Sequence, residues 1–214
     1  MKNTTLAVSI IATLAGFGMS SIASGAVVVF NDQPTWNMYT ALKGATVATE
    51  DFESFAAGFA PSATGTAGGT TWTANALNGV FFGDVNVPPA HQVISTTNSQ
   101  VTLNFTFAPG VQGIGGEMFG TNNEFSAVIA LITVTLADGT SYVNDPNTAS
   151  AFVGFYSNGA AISSLSVTTA TPNTFATVDN LYFATVPAPG ALVLISLAGV
   201  VGGQSRRRAT SAAV

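Results

Sequence analysis

The sequence predicts an all-β fold, a jelly-roll-like sandwich with one short N-terminal helix. Charged residues make up 7% of the chain and hydrophobic residues 47%. The Lys, Glu and Arg that usually cover the exposed faces of helices are therefore scarce. Apolar residues instead alternate with Thr, Ser and Asn, which is the period of a half-buried strand. The abundant Thr, Val and Phe also favour sheets.

The strands are predicted from segments of clear alternation. Residues 101–107 place Val, Leu and Phe at every second position. Ile132–Leu136 alternates in the same way, and Asp138-Gly139 after it is a strong hairpin signal. Further strands are predicted at 151–156, 165–168 and 175–183. Short strands separated by Gly, Pro and Asn turns are typical of sandwiches and barrels.

A single helix is predicted near the start of the domain. Asp32 can cap it, Pro34 lies in its first turn, and Gly44 can end it. Three residues at intervals of three are expected to pack on the sheet: Trp36, Tyr39 and Leu42. Two segments are predicted as surface loops, the Gly/Ala/Thr-rich 54–69 and the proline-containing 86–98.

The first 26 residues have the organisation of a secretory signal peptide. Lys2 gives a positive start, residues 6–17 form an apolar run, and small residues fill positions 20–26. The alternative is an N-terminal membrane anchor, for which the apolar run is short. The folded domain is therefore predicted to occupy 27–185.

Residues 186–214 have the organisation of a membrane-inserted sorting tail. Prolines in Val186-Pro187-Ala188-Pro189-Gly190 break the last strand. An uncharged stretch to residue 202 is just long enough to enter the bilayer as a transmembrane helix. Arg206, Arg207 and Arg208 then stop transfer and remain cytoplasmic by the positive-inside rule.

This order of proline motif, apolar segment and arginine cluster resembles the PEP-CTERM sorting signal, in a variant with Ala188 at the usual Glu position. The resemblance implies a transient stay in the inner membrane and cleavage near the motif by an exosortase-type protease. It further implies delivery to the cell surface or the extracellular matrix. The alternative is a plain C-terminal membrane anchor.

The domain also resembles, more diffusely, the lectin-like β domains of proteins with such tails. Four short segments carry the resemblance: Asp51-Phe52-Glu53, Gly154-Phe155, Ile162-Ser163-Ser164-Leu165 and Val178-Asp179-Asn180-Leu181. It implies a jelly roll.

Charge and composition narrow the partners. Between the two terminal signals Lys43 is the sole Lys or Arg, against ten carboxylates. Such a surface repels nucleic acid and favours cations, neutral glycans or basic partners. The chain has no cysteine and one histidine, His91. Thiolate chemistry and two-histidine metal motifs are therefore excluded.

The acidic segment around residue 51 suggests a calcium site. The first and last strands of many jelly rolls are neighbours, so this segment could meet the last strand. Calcium prefers carboxylate, amide and carbonyl oxygens. The predicted ligands are Asp51, Glu53, Asp179 and Asn180, with solvated strand ends as the alternative.

Exposed aromatics would suit sugar stacking, and Trp72 is the first candidate because threonines surround it. Three other aromatics are further candidates: Trp36, Tyr142 and Tyr156. Core packing is the alternative for all four. Asn78-Gly79 and Asn122-Asn123 could bond sugar hydroxyls or be ordinary turns.

The sequence shows no catalytic apparatus, so a non-enzyme is predicted. Glu117 and Glu124 are the one carboxylate pair that suggests glycoside cleavage. The predicted function is an exported surface or matrix protein that binds extracellular polysaccharide. The alternatives are a structural matrix or envelope component without glycan binding, and a glycan-active hydrolase.

Overall fold

The structure is a computed structural model that describes residues 26–85, 91–144 and 152–187. The predictions for residues 1–25 and for the tail from Ala188 onward lie outside the described residues and stay predictions. Within the described part of the chain, no helix combines the length and the apolar character needed to cross a membrane.

Fifteen strands and one helix form the described domain. In chain order they are β1 Val27–Phe30, α1 Gln33–Leu42, β2 Thr46–Glu50, β3 Gly58–Ala60, β4 Ala63–Ala67, β5 Thr70–Ala76, β6 Val80–Asp84, β7 Gln92–Thr96, β8 Leu103–Phe107, β9 Val111–Thr121, β10 Ala127–Val128, β11 Ile132–Leu136, β12 Ser141–Val143, β13 Phe152–Ser157, β14 Ser164–Thr169 and β15 Phe175–Thr185.

The strands build two sheets. The nine-stranded sheet has the order β1-β13-β9-β15-β7-β6-β3, with β10 paired to β9 and β2 paired to β15. The six-stranded sheet has the order β12-β11-β14-β8-β5-β4. From β7 onward the chain passes repeatedly from one sheet to the other, as in a jelly roll. The predicted all-β sandwich with one N-terminal helix is confirmed.

The main core lies between the two sheets and is rich in aromatic rings. Phe52, Trp72 and Phe105 are all fully buried there. Phe55 stacks on Phe82 with ring centroids 4.6 Å apart. The alternating pattern supplies Trp72 and Phe105, since every second residue of β5, β8, β11 and β14 points inward.

Helix α1 lies on the outer face of the nine-stranded sheet. Asp32 caps it by accepting the Thr35 N–H at 2.8 Å, and Gly44 follows its end at φ +69°. Trp36 is fully buried and Tyr39 packs beside it, as predicted. Leu42 is 77% exposed, so its predicted contact is wrong. At about 100° per residue, a residue six positions after Trp36 points away from the sheet.

Both predicted loops contain strands. Segment 54–69 holds β3 and β4, and segment 86–98 holds β7. Strand β4 needs a glycine at position 65 because Trp72 lies against it: a Cβ there would come within 2.5 Å of the indole ring. Strand β7 is buried on both faces, so it lacks the alternation by which half-buried strands are recognised.

Substitution Gly65→Ala tests the close approach of β4 to Trp72. The added methyl group would overlap the indole, so we expect a loss of about 1–3 kcal/mol in the free energy of unfolding. Urea denaturation of the purified chain measures it. Thr66→Ala, an exposed change on the same strand, is the control and should stay within about 0.5 kcal/mol of the parent. Equal stability of Gly65→Ala and parent would contradict this packing.

Candidate ligand-binding site

Trp72, the predicted glycan contact, lies in the core. It is fully buried, and its indole N–H donates to Glu50 Oε2 at 2.9 Å. A buried ring cannot stack on a sugar, so this prediction is wrong. The threonines beside it in sequence, Thr71 and Thr73, point to the opposite face of β5. In a half-buried strand the polar residues on either side of an aromatic lie on the opposite face, so they indicate that the aromatic is buried.

The other aromatic candidates are also packed. Trp36 donates its indole N–H to the Phe155 carbonyl at 3.1 Å. Tyr156 is 4% exposed, and Tyr142 is half-buried against the core. Core packing explains all four aromatics that the sequence offered for sugar stacking.

The two acidic segments expected to meet do meet. Strand β2 pairs with β15, with Glu50 opposite Leu181. The nearby carboxylates of Glu53 and Asp51 accept hydrogen bonds from different backbone N–H groups. Glu53 Oε1 accepts the Gln92 N–H at 2.7 Å, and Asp51 Oδ1 accepts the Glu53 N–H at 3.2 Å.

The predicted calcium ligands are not gathered around one point. Asp179 Oδ2 lies 2.5 Å from His91 Nε2, and the Asn180 side chain lies close enough to Glu117 to lower the pKa of that carboxyl group. Among the residues that the structure describes, no group of three or more Asp, Glu or His side chains is arranged to hold a metal ion. The donor set of Asp51, Glu53, Asp179 and Asn180 therefore does not fit calcium here.

A pair of carboxyl groups instead lies on the outer face of the nine-stranded sheet. Glu117 on β9 is directly opposite Asp179 on β15. Burial, followed by the neighbouring Asp179 carboxylate, raises the pKa of Glu117 to about 7. Burial also raises the pKa of Asp179, against the lowering effect of His91. Glu117 Oε2 is buried without a hydrogen-bond partner, an arrangement that favours the protonated form.

Glu117 and Glu124, considered together for glycoside cleavage, occupy different environments. Glu117 lies within β9 beside Asp179. Glu124 is exposed in the turn beyond the end of that strand. The structure gives no reason to treat them as one catalytic pair.

A pocket of about 200 Å³ lies on the same outer face of the sheet. Its aromatic wall consists of Phe81, Phe125 and Phe175, each half-buried. Asn122 and Asn123 lie beside them, and Asn123 is exposed. The other residues that line the pocket carry hydroxyl groups. Its lining therefore combines apolar rings with uncharged polar groups.

Linked hydroxyl groups support the floor of this pocket. Ser95 on β7 and Thr121 on β9 both line it. Between them, the buried Thr177 hydroxyl lies 2.9 Å from Ser95 Oγ and 2.8 Å from Thr121 Oγ1. This row crosses three neighbouring strands and fixes the hydroxyl positions. The pocket floor is therefore preorganised by the sheet.

The turn after β9 shapes the other wall. Asn122 Oδ1 accepts the N–H groups of Glu124 at 2.9 Å and Ser126 at 3.0 Å. Phe125 adopts φ +55° within this turn. Its ring centroid consequently lies 5.2 Å from that of Phe81. Asn122 thus holds the turn, while Phe125 and Asn123 present side chains to the pocket.

Sequence reasoning found part of this site. Asn122-Asn123 was considered for sugar hydroxyls, and the structure places both residues at the pocket. The three phenylalanines were missed because a phenylalanine in or near a strand usually belongs to the core. All three rings lie on the sheet face opposite the main core. That position depends on strand pairing, so the local sequence pattern does not reveal it.

No family model matches the chain, and no curated protein matches it. Among solved structures, the structure of CsCBM6-3 from Clostridium stercorarium in complex with cellobiose is similar over 48% of this chain and 80% of that chain. The sequence identity is 15% and the TM-score is 0.28. These values are too low to assign a fold or a function from this similarity. The fold and the site define an all-β sandwich with a pocket on the outer face of one sheet.

The Glu117–Asp179 pair predicts a pH-dependent stability. A folded-state pKa raised above the unfolded value gives stability that is fully present below pH about 4.5 and is lost as pH rises through about 7. We expect the melting temperature to fall by on the order of 5 °C between pH 5 and pH 8.5, after allowance for solvent screening. Calorimetry at both pH values measures it.

The variant Glu117→Gln isolates the contribution of Glu117. It cannot ionise, so its melting temperature should depend less on pH than that of the parent. The difference between the two proteins is the informative quantity, because histidine titrates in the same range. If the melting temperatures of parent and variant changed with pH by the same amount, Glu117 would not contribute to the pH dependence of stability.

Proposed function

We propose that this chain is an exported, non-catalytic surface or matrix protein that binds extracellular polysaccharide through the pocket formed by Phe81, Phe125, Phe175 and Asn123. The observation that carries the proposal is the lining of that pocket. It offers apolar rings beside amide and hydroxyl groups, without a charged side chain among the lining residues that the structure describes.

The chemistry of a neutral sugar matches this lining. A sugar ring has an apolar face of C–H groups and a rim of hydroxyls that both donate and accept. Phenylalanine rings cover the apolar face, and asparagine amides and threonine or serine hydroxyls satisfy the rim. A charged ligand would find no opposite charge in this lining and would lose its hydration there.

The organisation of the domain supports an exported role with a C-terminal sorting signal. Strand β15 ends at Thr185, and the motif Val186-Pro187-Ala188-Pro189-Gly190 follows at once. We propose that this tail enters the inner membrane transiently and is cut by an exosortase-type protease. The domain then reaches the cell surface or extracellular matrix.

Binding by the purified full-length chain tests the glycan proposal. The panel contains neutral polysaccharides (cellulose, xylan, starch and dextran) and the acidic polysaccharide alginate, with affinity electrophoresis as the assay. We expect binding to a neutral member. Asn123→Ala should weaken it about fivefold, as for one lost hydrogen bond of roughly 1 kcal/mol. Phe125→Ala should weaken it about tenfold or more.

The matched control is Asn37→Ala, an exposed asparagine on α1, which should bind like the parent. Binding of alginate alone would contradict an uncharged site. No binding to any member would favour a structural component of the matrix. Release of soluble sugar, abolished in Glu117→Gln, would favour the hydrolase.

Secretion in a Gram-negative host that carries an exosortase tests the sorting proposal. The parent should appear outside the inner membrane with a mass reduced at its C-terminus. Replacing Pro187 and Pro189 with Ala, or Arg206, Arg207 and Arg208 with Gln, should leave uncut protein in the membrane fraction. Mass spectrometry of both fractions measures the outcome. Identical processing of parent and variants would contradict the proposal.

A further inference from the structure

The pocket does not end at Phe81, because a further phenylalanine stands directly beside it. Phe59 on β3 pairs with Phe81 on β6 in the antiparallel register. Directly opposite residues of an antiparallel pair point to the same face with Cβ atoms about 5 Å apart. Phe59 therefore lies on the pocket face of the sheet, one strand farther out.

Phe59 is held in place yet remains open to solvent. It is 63% exposed. Its ring packs over the backbone of Gly79, where an added Cβ would come within 2.6 Å of Phe59 Cε2. With the half-buried Phe81 directly beside it, Phe59 forms a contiguous apolar patch, and such patches mark binding surfaces.

The turn beneath Phe59 is also tied to the pocket wall. Thr97, which lines the pocket, has its hydroxyl 3.1 Å from the Asn78 carbonyl and 3.3 Å from the Gly79 carbonyl. The backbone that carries Phe59's packing surface is thus bonded to the wall of the pocket. The two parts of the surface share one rigid support.

From these contacts we infer that the site is extended and binds a chain of several neutral sugar units, with Phe59 as an outer stacking platform. The inference rests on the proposed function. Phe59 on β3 and Phe175 on β15 are separated by three strand intervals, or roughly 14 Å. That span exceeds a single sugar ring, and β3 ends the sheet on this side, so a bound chain can continue past it.

Length-dependent binding tests the inference on the full-length chain. The probes are β-1,4-linked and α-1,4-linked glucose oligomers, each as disaccharide, tetrasaccharide and hexasaccharide, measured by titration calorimetry. We expect the parent to bind one hexasaccharide about tenfold more tightly than its disaccharide. Phe59→Ala should lose that gain and keep the disaccharide affinity, whereas Phe125→Ala should weaken both.

Met38→Ala is the control, since Met38 is 61% exposed on α1 and should leave every affinity unchanged. Unaltered melting temperatures show that the variants fold. Equal length dependence in Phe59→Ala and parent would overturn the extended site while the pocket stands. A parent that binds none of the oligomers would also overturn it. A parent that binds no polysaccharide of the panel would overturn the proposed function itself.

Discussion

The hydrogen bond between Glu50 and Trp72 joins the two sheets inside the core. Glu50 ends β2 in the nine-stranded sheet, and Trp72 belongs to β5 in the six-stranded sheet. Glu50 also accepts the Phe52 N–H at 3.1 Å, which stabilises the φ of +61° at Phe52. A carboxyl group in a core is tolerated when such bonds compensate for its lost hydration.

Much of the surrounding structure depends on that pair. The Trp72 ring requires a glycine at position 65 of the edge strand β4. The turn at Phe52 brings Glu53 to the Gln92 N–H at the start of β7. Strand β7 in turn supplies Ser95 to the pocket floor. The core pair and the outer-face site are therefore connected through a few residues of backbone.

The sequence predicts the half-buried strands well and the edge and fully buried strands poorly. Alternation identified Ile132–Leu136 and its Asp138-Gly139 hairpin, since one side of each strand faces the core and the other faces water. It could not identify β4, whose glycine at position 65 reflects the Trp72 ring of another strand. It also missed β7, because a strand covered on both faces has no polar side to mark its period.

The site was less predictable, for a related reason. Asn122-Asn123 is a local turn signal, whereas Phe59, Phe81 and Phe175 come together only through the register of separate strands. The prediction that Trp72 is exposed was wrong because its polar neighbours in sequence lie on the other face of β5. A ligand site on a sheet face depends on which strands pair and in which register. The local sequence around any one residue does not determine either.

The pocket and the segment that follows the domain lie at opposite ends of strand β15. This arrangement determines how the pocket would be oriented relative to a membrane-held tail. Strand β15 contributes Phe175 to the pocket at its start and leads to Val186 at its end. Phe175 and Thr185 are the two ends of this eleven-residue strand, which carries a β-bulge near Asn180. Its length is therefore at most roughly 33 Å. A tail held at a membrane from Val186 onward would therefore leave the pocket at the distant end of a rigid strand. In that arrangement the aromatic surface would be presented away from the anchor, on the side of the domain that faces away from the membrane.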